Sequence, residues 1–264
     1  MEKNNNIKNH QIIKQENPSV QAVDRAIILL KLIADSSNPI SINELIEKTN
    51  LNRTTVWRLV GTLENHDLVE RDPITKGYQI GYATVRMANL APQYHSLVRR
   101  SRWIMEKLRD ESQETVLLSV PKHFATLTIE QIDPNHSIRL VDYVNAYLPL
   151  HCTSNGKMLL SYFSKEELDI FLKKPLEKVT TLTITDPNKL REEIKDIKEN
   201  GISFCLGELD ENENGICAPI IDKKQNLVGF LNVCGPSFRF TEEKMSAIKN
   251  RLVEACKRIS ENLD

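Results

Sequence analysis

Residues 41–64 read SINELIEKTNLNRTTVWRLVGTLE, and this stretch decides the fold of the first third of the chain. Ser41 and Glu44 have the spacing of a capping box, in which each side chain pairs with the other residue's backbone amide. A short helix is therefore predicted directly after Ser41. It should end at Asn50, because asparagine tolerates the left-handed conformation of a tight turn. Asn52 can cap the next helix, so the stretch predicts helix, turn, helix.

The helix that follows Asn52 has two chemically different faces. Val56, Val60 and Leu63 form an apolar stripe that must face a core. No acidic residue occurs between Asn52 and Glu64, so the other face is polar and locally basic. We expect that face to enter the major groove of DNA. The predicted DNA-contacting residues are Asn52, Arg53, Thr54, Thr55, Trp57 and Arg58, together with Lys76 from a hairpin described next.

Segments on both sides of this stretch complete a winged helix-turn-helix. Upstream, apolar residues recur at three- and four-residue steps and predict a helix over 20–34. Downstream, extended runs at 68–71 and 78–80 flank the turn-rich DPITKG, which predicts a β-hairpin with Lys76 at its tip. The predicted domain covers 19–81. Residues 1–18 are rich in Asn, Lys and Gln and are expected to form a disordered tail.

Charge and composition exclude several classes of protein. The net charge is −1, and residues 1–80 contain ten basic and ten acidic residues, so any nucleic-acid surface must be local. No apolar run approaches the roughly 20 residues of a membrane span, and the polar N-terminus is unlike a signal peptide. We therefore expect a soluble, cytoplasmic protein with no membrane partner. The five cysteines lack metal-site spacing and are expected to be reduced thiols, without metal or cofactor.

The remainder of the chain predicts an α+β domain over 95–264, reached through a linker helix at 82–94 within a helical stretch interrupted near Pro92. Strands and helices mix without a βαβ rhythm, so the sheet should be antiparallel. Strands are predicted at 115–120, 125–132, 137–141, 216–221 and 227–234. Helices are predicted at 154–162, 165–173 and 187–199, with a last helix from Thr241 to about Asn262.

Two motifs in this half can be compared with known binding loops. Residues 153–156, Thr-Ser-Asn-Gly, open a helix whose backbone amides could hold a carboxylate, although Thr153 could equally be a purely structural cap. A phosphate-binding loop is excluded, because His151 and Met158 stand at two of its required positions. Residues 210–215 imitate the start of an EF-hand, but Ile221 replaces the bidentate glutamate, so calcium is not expected.

Longer segments resemble a known family. They are VQAVDRA at 20–26, LNRTTVWRL at 51–59, LPLHCTSNGK at 148–157, API at 218–220, GP at 235–236 and Arg239. In order and spacing, they resemble the IclR-type bacterial transcriptional regulators over nearly all of Val20 to Leu263. The resemblance implies a winged helix-turn-helix, a linker helix and a GAF-like effector-binding and oligomerisation domain. It also implies dimers, or dimers of dimers, that bind operator DNA and respond to small metabolites, commonly organic acids.

The resemblance also implies where the effector binds. The expected effector-binding residues are Thr153, Ser154, Asn155, Gly156, Cys205, Gly215, Asn232 and Cys234. Several of them depart from the family pattern: Cys205 stands where an acidic residue is common, Gly215 where cysteine is common, and Asn232 and Cys234 where serine is common. Glu208 matches a commonly acidic position. We expected Lys157 to point outward, leaving a pocket suited to a neutral or singly charged ligand.

Two alternatives to a regulator remain open from the sequence. The α+β domain could be an enzyme that turns over its ligand with a thiol, although no cysteine lies in a recognisable nucleophile motif. Alternatively, the protein could be a small-molecule sensor whose helix-turn-helix contacts another protein. The sequence favours a ligand-responsive, non-enzymatic DNA-binding regulator.

Overall fold

The computed structural model describes residues 20–89, 92–122 and 124–263. Its contacts divide this part of the chain into two units, with the boundary between His95 and Ser96. The predicted tail at 1–18 and positions 90–91 of the predicted linker lie outside the described residues. Each unit is considered by itself below.

The N-terminal unit has the helices and the hairpin that the sequence predicts. Ser41 and Glu44 form the capping box, and Asn50 is left-handed with φ of 54°. The Asn52 side chain accepts a hydrogen bond from the Thr55 amide at 2.8 Å and so caps the third helix. The elements are α1 (Gln21–Ala34), α2 (Ile42–Thr49), α3 (Arg53–Asn65), β1 (Val69–Arg71), β2 (Tyr78–Ile80) and α4 (Tyr82–Asn89).

A small apolar core holds α1, α2, α3 and the hairpin together. The apolar stripe of α3 is buried against α1 and α2, as predicted. The hairpin is fastened to the same core, because Ile40 and Tyr78 form an antiparallel bridge between the α1–α2 connection and β2. Gly77 makes this approach possible, since a Cβ there would lie 2.6 Å from the Pro39 carbonyl oxygen. The position of the hairpin is therefore determined by the core.

The second unit is built on a six-stranded sheet in which every neighbouring pair is antiparallel, in the order β5-β4-β3-β8-β7-β6. Its elements are α5 (Pro92–Ser112), β3 (Thr115–Lys122), β4 (Ala125–Ile132), β5 (Tyr147–Leu148), α6 (Ser154–Ser161), α7 (Lys165–Leu172), α8 (Pro187–Asn200), β6 (Ser203–Leu206), β7 (Glu213–Ile221), β8 (Leu227–Pro236) and α9 (Glu242–Glu261).

The two-residue period of the strands assigns α6 and α9 to opposite faces of this sheet. On β8, Phe230 belongs to the core cluster that contains Met158 and Leu159 of α6, and Asn232 hydrogen-bonds Ser154. On β7, Ala218 faces the opposite side of the sheet from Phe230 and Asn232. There the Cys256 thiol of α9 contacts the Ala218 carbonyl oxygen. The α6 face of the sheet is therefore the face on which the predicted effector-binding residues meet.

One predicted strand is wrong and two strands were missed. Residues 137–141 form no strand, because their apolar side chains have no core to face: Ile138 is 61% and Val141 50% exposed. The chain instead loops on until β5. The missed strands are β5, two residues long, and β6, four residues long, which follows the left-handed Gly201 at the end of α8.

Candidate functional site

A pocket lies on the α6 face of the sheet, where the first turn of α6 approaches β3, β7 and β8. Its cavity volume is about 20 Å³, far below that of a pocket for a drug-sized ligand, and part of the pocket is open to solvent. Its lining is apolar along one side and polar near α6. The lining residues are Leu117, Tyr143, Leu148, Thr153, Ser154, Asn155, Cys205, Leu209, Glu213, Gly215, Asn232 and Cys234.

The predicted effector-binding residues therefore meet in space, with the exception of Gly156. The Gly156 amide donates to the side-chain oxygens of Thr153 and Asn155 at 3.1 and 2.9 Å. A Cβ at Gly156 would lie 2.5 Å from backbone atoms of Leu150. Gly156 thus lets α6 start close to the preceding chain and does not line the pocket. Gly215 does line it, and a Cβ there would lie 2.9 Å from the Cys234 sulfur.

A buried polar network holds the first turn of α6 against the sheet. Asn232 donates to the Ser154 hydroxyl at 3.0 Å, and Asn155 donates to the Ser119 hydroxyl at 3.1 Å. The Asn232 Oδ1 atom is buried and has no hydrogen-bond partner among the described residues. An unpaired buried acceptor costs about 1–3 kcal/mol, so a group in the pocket that donates to it would be favourable.

Tyr143 and Glu213 form the opposite wall of the pocket, and the sequence did not point to either. The Tyr143 hydroxyl donates to Glu213 Oε2 at 2.7 Å, and the two residues are 70 positions apart. Burial raises the pKa of Glu213 to about 7; the Tyr143 hydrogen bond opposes this shift, and the Asp210 carboxylate adds to it. Burial also raises the pKa of Tyr143. The tyrosine therefore remains a donor, while the glutamate changes charge near neutral pH.

The free energy of unfolding is expected to fall as pH rises, because of Glu213. Its pKa in the folded protein lies above the ordinary 4.5, so the folded state binds the proton more tightly than the unfolded state. The contribution is complete below pH 4.5 and is lost as pH rises to about 7, by up to about 3 kcal/mol. Urea unfolding at several pH values should show this loss, and Glu213→Gln should remove it.

Glu242→Gln is the matched control, because Glu242 is an exposed glutamate in the first turn of α9. It should leave the pH dependence of the unfolding free energy as in the unsubstituted protein. An identical pH dependence in the Glu213→Gln and Glu242→Gln proteins would contradict the assignment of the raised pKa to Glu213.

Lys157 does not point outward, contrary to the expectation from sequence. Only 1% of its side chain is exposed, and its ammonium group lies 2.5 Å from carboxylate oxygens of both Glu193 and Glu208. Burial lowers the pKa of Lys157, but the two carboxylates outweigh burial and the net shift is upward. Lys157 therefore joins α6 to α8 and to the turn after β6, and no lysine or arginine lines the pocket within the described residues.

The cysteines are buried thiols with no activating base in the described part of the chain. Burial raises the pKa of Cys205 to about 12 and also raises the pKa of Cys234 and Cys152. The Cys205 thiol contacts the Cys152 carbonyl oxygen. The ring of His151 is bonded at Nε2 to the Glu177 carbonyl rather than to a thiol. Within the described residues, no cluster of His, Cys, Asp and Glu is arranged to bind a metal ion.

The predicted DNA-contacting residues lie on the outer side of α3 and at the hairpin tip. Arg53, Thr54, Trp57 and Arg58 are exposed, and Trp57 is 65% exposed although it is a large aromatic residue. Thr55 is half-buried. Arg53 also donates to the Asn43 side chain of α2 at 3.3 Å, which orients its guanidinium group. Lys76 is exposed at the tip.

The tip of the hairpin has a defined backbone. Asp72 accepts hydrogen bonds from the amides of Ile74 and Thr75, at 3.1 and 2.6 Å. These bonds lower the pKa of Asp72, which stays ionised. Lys76 is left-handed with φ of 60°, and its carbonyl oxygen accepts from Arg71. The turn thus presents Lys76 to solvent in one arrangement.

Across the described residues, no helix is sufficiently long and apolar to span a membrane.

Comparisons with known proteins agree with both units. Residues 22–73 match the model of the IclR helix-turn-helix domain, and residues 91–261 match that of the bacterial transcriptional regulator IclR C-terminal domain. The chain is 28% identical over 247 residues to the HTH-type transcriptional regulator BhcR of Paracoccus denitrificans, covering 93% of this chain and 88% of that protein.

Solved structures have the same fold. The Thermotoga maritima IclR structure matches with a TM-score of 0.74 and 25% identity, over 91% of this chain and 98% of that one. An IclR homologue from Microbacterium hydrocarbonoxydans, complexed with 4-hydroxybenzoate, matches with a TM-score of 0.76 and 23% identity. That match covers 92% of this chain and 98% of the other.

Proposed function

The chain belongs to the IclR family of bacterial transcriptional regulators, and on this premise we propose that it binds operator DNA through α3 and the hairpin tip while the pocket receives a small organic effector. The observation that carries the proposal is the pocket at the start of α6, in which the buried Oδ1 of Asn232 has no partner in the part of the chain that the structure describes. A small molecule that donates a hydrogen bond to this oxygen would be stabilised there, and the exposed Arg53, Trp57 and Arg58 offer a surface that can read DNA. The 4-hydroxybenzoate in the Microbacterium homologue supports a small organic acid as the class of effector.

The protein acts as a regulator without catalysis. A thiol enzyme needs a thiolate or a base that forms one, whereas burial raises the pKa of these thiols and His151 is engaged elsewhere. The pocket thus supplies recognition, and the outcome of binding is a change in DNA affinity. Because the target is chromosomal DNA, the site of action in a bacterium is the cytoplasm.

The protein binds DNA as a homodimer or a dimer of dimers. Apolar side chains remain exposed on α1 and α4 after the core of the N-terminal unit is complete, and an exposed apolar patch of this kind favours association. The linker sequence at 87–90, Met-Ala-Asn-Leu, is also largely apolar, but Leu90 lies outside the described residues. A closed two-fold dimer reads a pseudo-palindromic site, so the operator should be an inverted repeat. The exposed side chains are Val20, Val23, Ile27, Ile28, Tyr82, Val85 and Met87.

The experiment that tests the function is selection of genomic DNA fragments by the purified full chain, followed by affinity measurements at rising salt. We expect recovery of a small set of fragments that share an inverted repeat, and sedimentation of the protein as a dimer without DNA. Specific binding should survive salt that removes binding to random DNA, because base contacts depend less on salt than phosphate contacts do.

Two outcomes would contradict the proposal. Equal loss of selected and random fragments at rising salt would mean that the helix-turn-helix does not read sequence, and would favour a protein-contacting sensor. Conversion of a candidate ligand to product by the protein would show that the α+β unit is an enzyme.

A further inference from the structure

The pocket has two chemically distinct ends. One end is the first turn of α6, a helix of eight residues. Ser154 and Asn155 in this turn line the pocket, where the backbone amides and the positive end of the helix dipole lie. The other end is the Tyr143–Glu213 pair, and no lysine or arginine among the described residues lines the pocket beside the Glu213 carboxyl group. Leu117, Leu148 and Leu209 also line the pocket and belong to one apolar cluster with Tyr143 and Cys234.

The second end is short of hydrogen-bond donors. The Tyr143 hydroxyl proton is already given to Glu213, which keeps a second carboxyl oxygen, whereas Asn232 lies beside Ser154 at the α6 end. A ligand group placed here is stabilised when it donates a hydrogen bond, and is destabilised when it is a second anion.

The charged groups around the pocket also disfavour a second anionic group at the Glu213 end. Lys157, the buried cation on α6, is fully engaged by Glu193 and Glu208 and does not line the pocket. The titratable groups near Glu213 are Tyr143, Asp210 and the thiols of Cys205 and Cys234. A ligand with anionic groups at both ends would therefore lack a counter-charge at the Glu213 end.

We propose that the effector is a small carboxylic acid whose opposite end carries a hydroxyl or ammonium donor, with the carboxylate held by the first turn of α6 and the donor bound by Glu213. This inference rests on the proposed function for the identity of the pocket. Glu213 is the specificity-determining residue: it selects acids with a distal donor over the same acids without one.

The test is calorimetric titration of the full chain with matched pairs of acids. The pairs are propanoate and 3-hydroxypropanoate, butanoate and 4-hydroxybutanoate, pentanoate and 5-hydroxypentanoate, and benzoate and 4-hydroxybenzoate, with the corresponding amino acids as a third arm. We expect at least one donor-bearing acid to bind about tenfold or more tightly than its unsubstituted partner. The hydroxyl and amino arms identify which donor the pocket takes.

Two variants separate recognition from folding. Glu213→Leu should reduce the preference for donor-bearing acids to within about threefold, because the acceptor is gone. Glu213→Gln keeps a neutral acceptor, so it should keep a preference for a hydroxyl and lose a preference for an ammonium group. Glu242→Gln is the control and should behave as the unsubstituted protein does.

Proton release gives an independent readout. A donor bound to Glu213 favours the ionised carboxylate, so titrations near pH 7 in buffers of different ionisation heat should show release of up to about half a proton. The Glu213→Gln protein should release none. A purely structural role for Glu213 would not produce this difference.

Equal binding of donor-bearing and unsubstituted acids, tighter binding of dicarboxylates, or no binding by any donor-bearing acid would overturn the inference. These outcomes are distinguishable from failure of the proposed function. If an unsubstituted acid binds and changes DNA affinity, the regulator stands and the role of Glu213 falls. If a donor-bearing acid binds through Glu213 without any effect on DNA affinity, the inference stands and the proposed function falls.

Discussion

Replacement of Lys157 by methionine is expected to destabilise the protein by about 3–5 kcal/mol, which is a large part of the stability of a typical domain. Methionine keeps the length and the apolar stem of lysine, so the loss comes from the missing charge. Glu208 is only 7% exposed and would be left with a buried carboxylate and no cation to pair with, whereas Glu193, at 28%, can turn toward water. Urea unfolding near pH 7 measures the effect.

Lys195→Met provides the matched control for this substitution. Lys195 lies on α8, is 76% exposed, and reaches Glu199 only at 4.0 Å, so its loss should cost less than about 1 kcal/mol. The Lys157→Met protein should also recover part of this stability as pH falls, because burial raises the pKa of Glu208 and a protonated Glu208 carries no charge. Equal unfolding free energies for the two variants would show that the buried ion pairs do not stabilise the fold.

Simultaneous replacement of Arg53 and Arg58 by alanine is expected to abolish selective binding to the operator. Each bidentate contact between an arginine and a guanine is worth about 1–3 kcal/mol of discrimination, so the pair corresponds to about thirtyfold or more in operator affinity. Binding to random DNA should weaken far less. Fluorescence anisotropy with operator and scrambled duplexes at one fixed salt concentration gives both numbers.

The control variant removes two positive charges from the second unit instead of from α3. Lys198 and Lys244 are exposed in the second unit, on α8 and α9, and their double alanine variant should bind operator as the unsubstituted protein does. The single Arg53→Ala and Arg58→Ala proteins then show which side chain reads a base. Unchanged operator affinity in a folded Arg53→Ala/Arg58→Ala protein would contradict the assignment of α3 as the DNA-reading helix.

The N-terminal unit could be predicted almost completely because its signals are local. The capping box at Ser41, the left-handed Asn50 and the cap at Asn52 each depend on residues at most four positions apart. Period and turn chemistry therefore suffice to define where the helices begin and end. The positions of the pocket residues came instead from resemblance to the IclR family.

The parts that sequence reasoning missed depend on contacts between distant residues. Tyr143 and Glu213 are 70 positions apart, and Lys157 finds its two partners 36 and 51 positions away. The periodicity of apolar residues along the chain cannot predict contacts between residues so far apart. The strand predicted at 137–141 failed for a related reason: the Gln131 side chain bonds the Val141 carbonyl and the Tyr143 amide, and so replaces strand pairing in that segment.

The strand lengths at the two edges of the six-stranded sheet limit how the molecule can polymerise. The edge strands are β5, with two residues, and β6, with four, while the longest strands, β7 and β8, are internal. An exposed edge invites another chain to add a strand, and short edges offer few free amides and carbonyls for this addition. The sheet is therefore protected from runaway edge-to-edge growth into fibres, and contacts between copies must form through side chains of helices and loops.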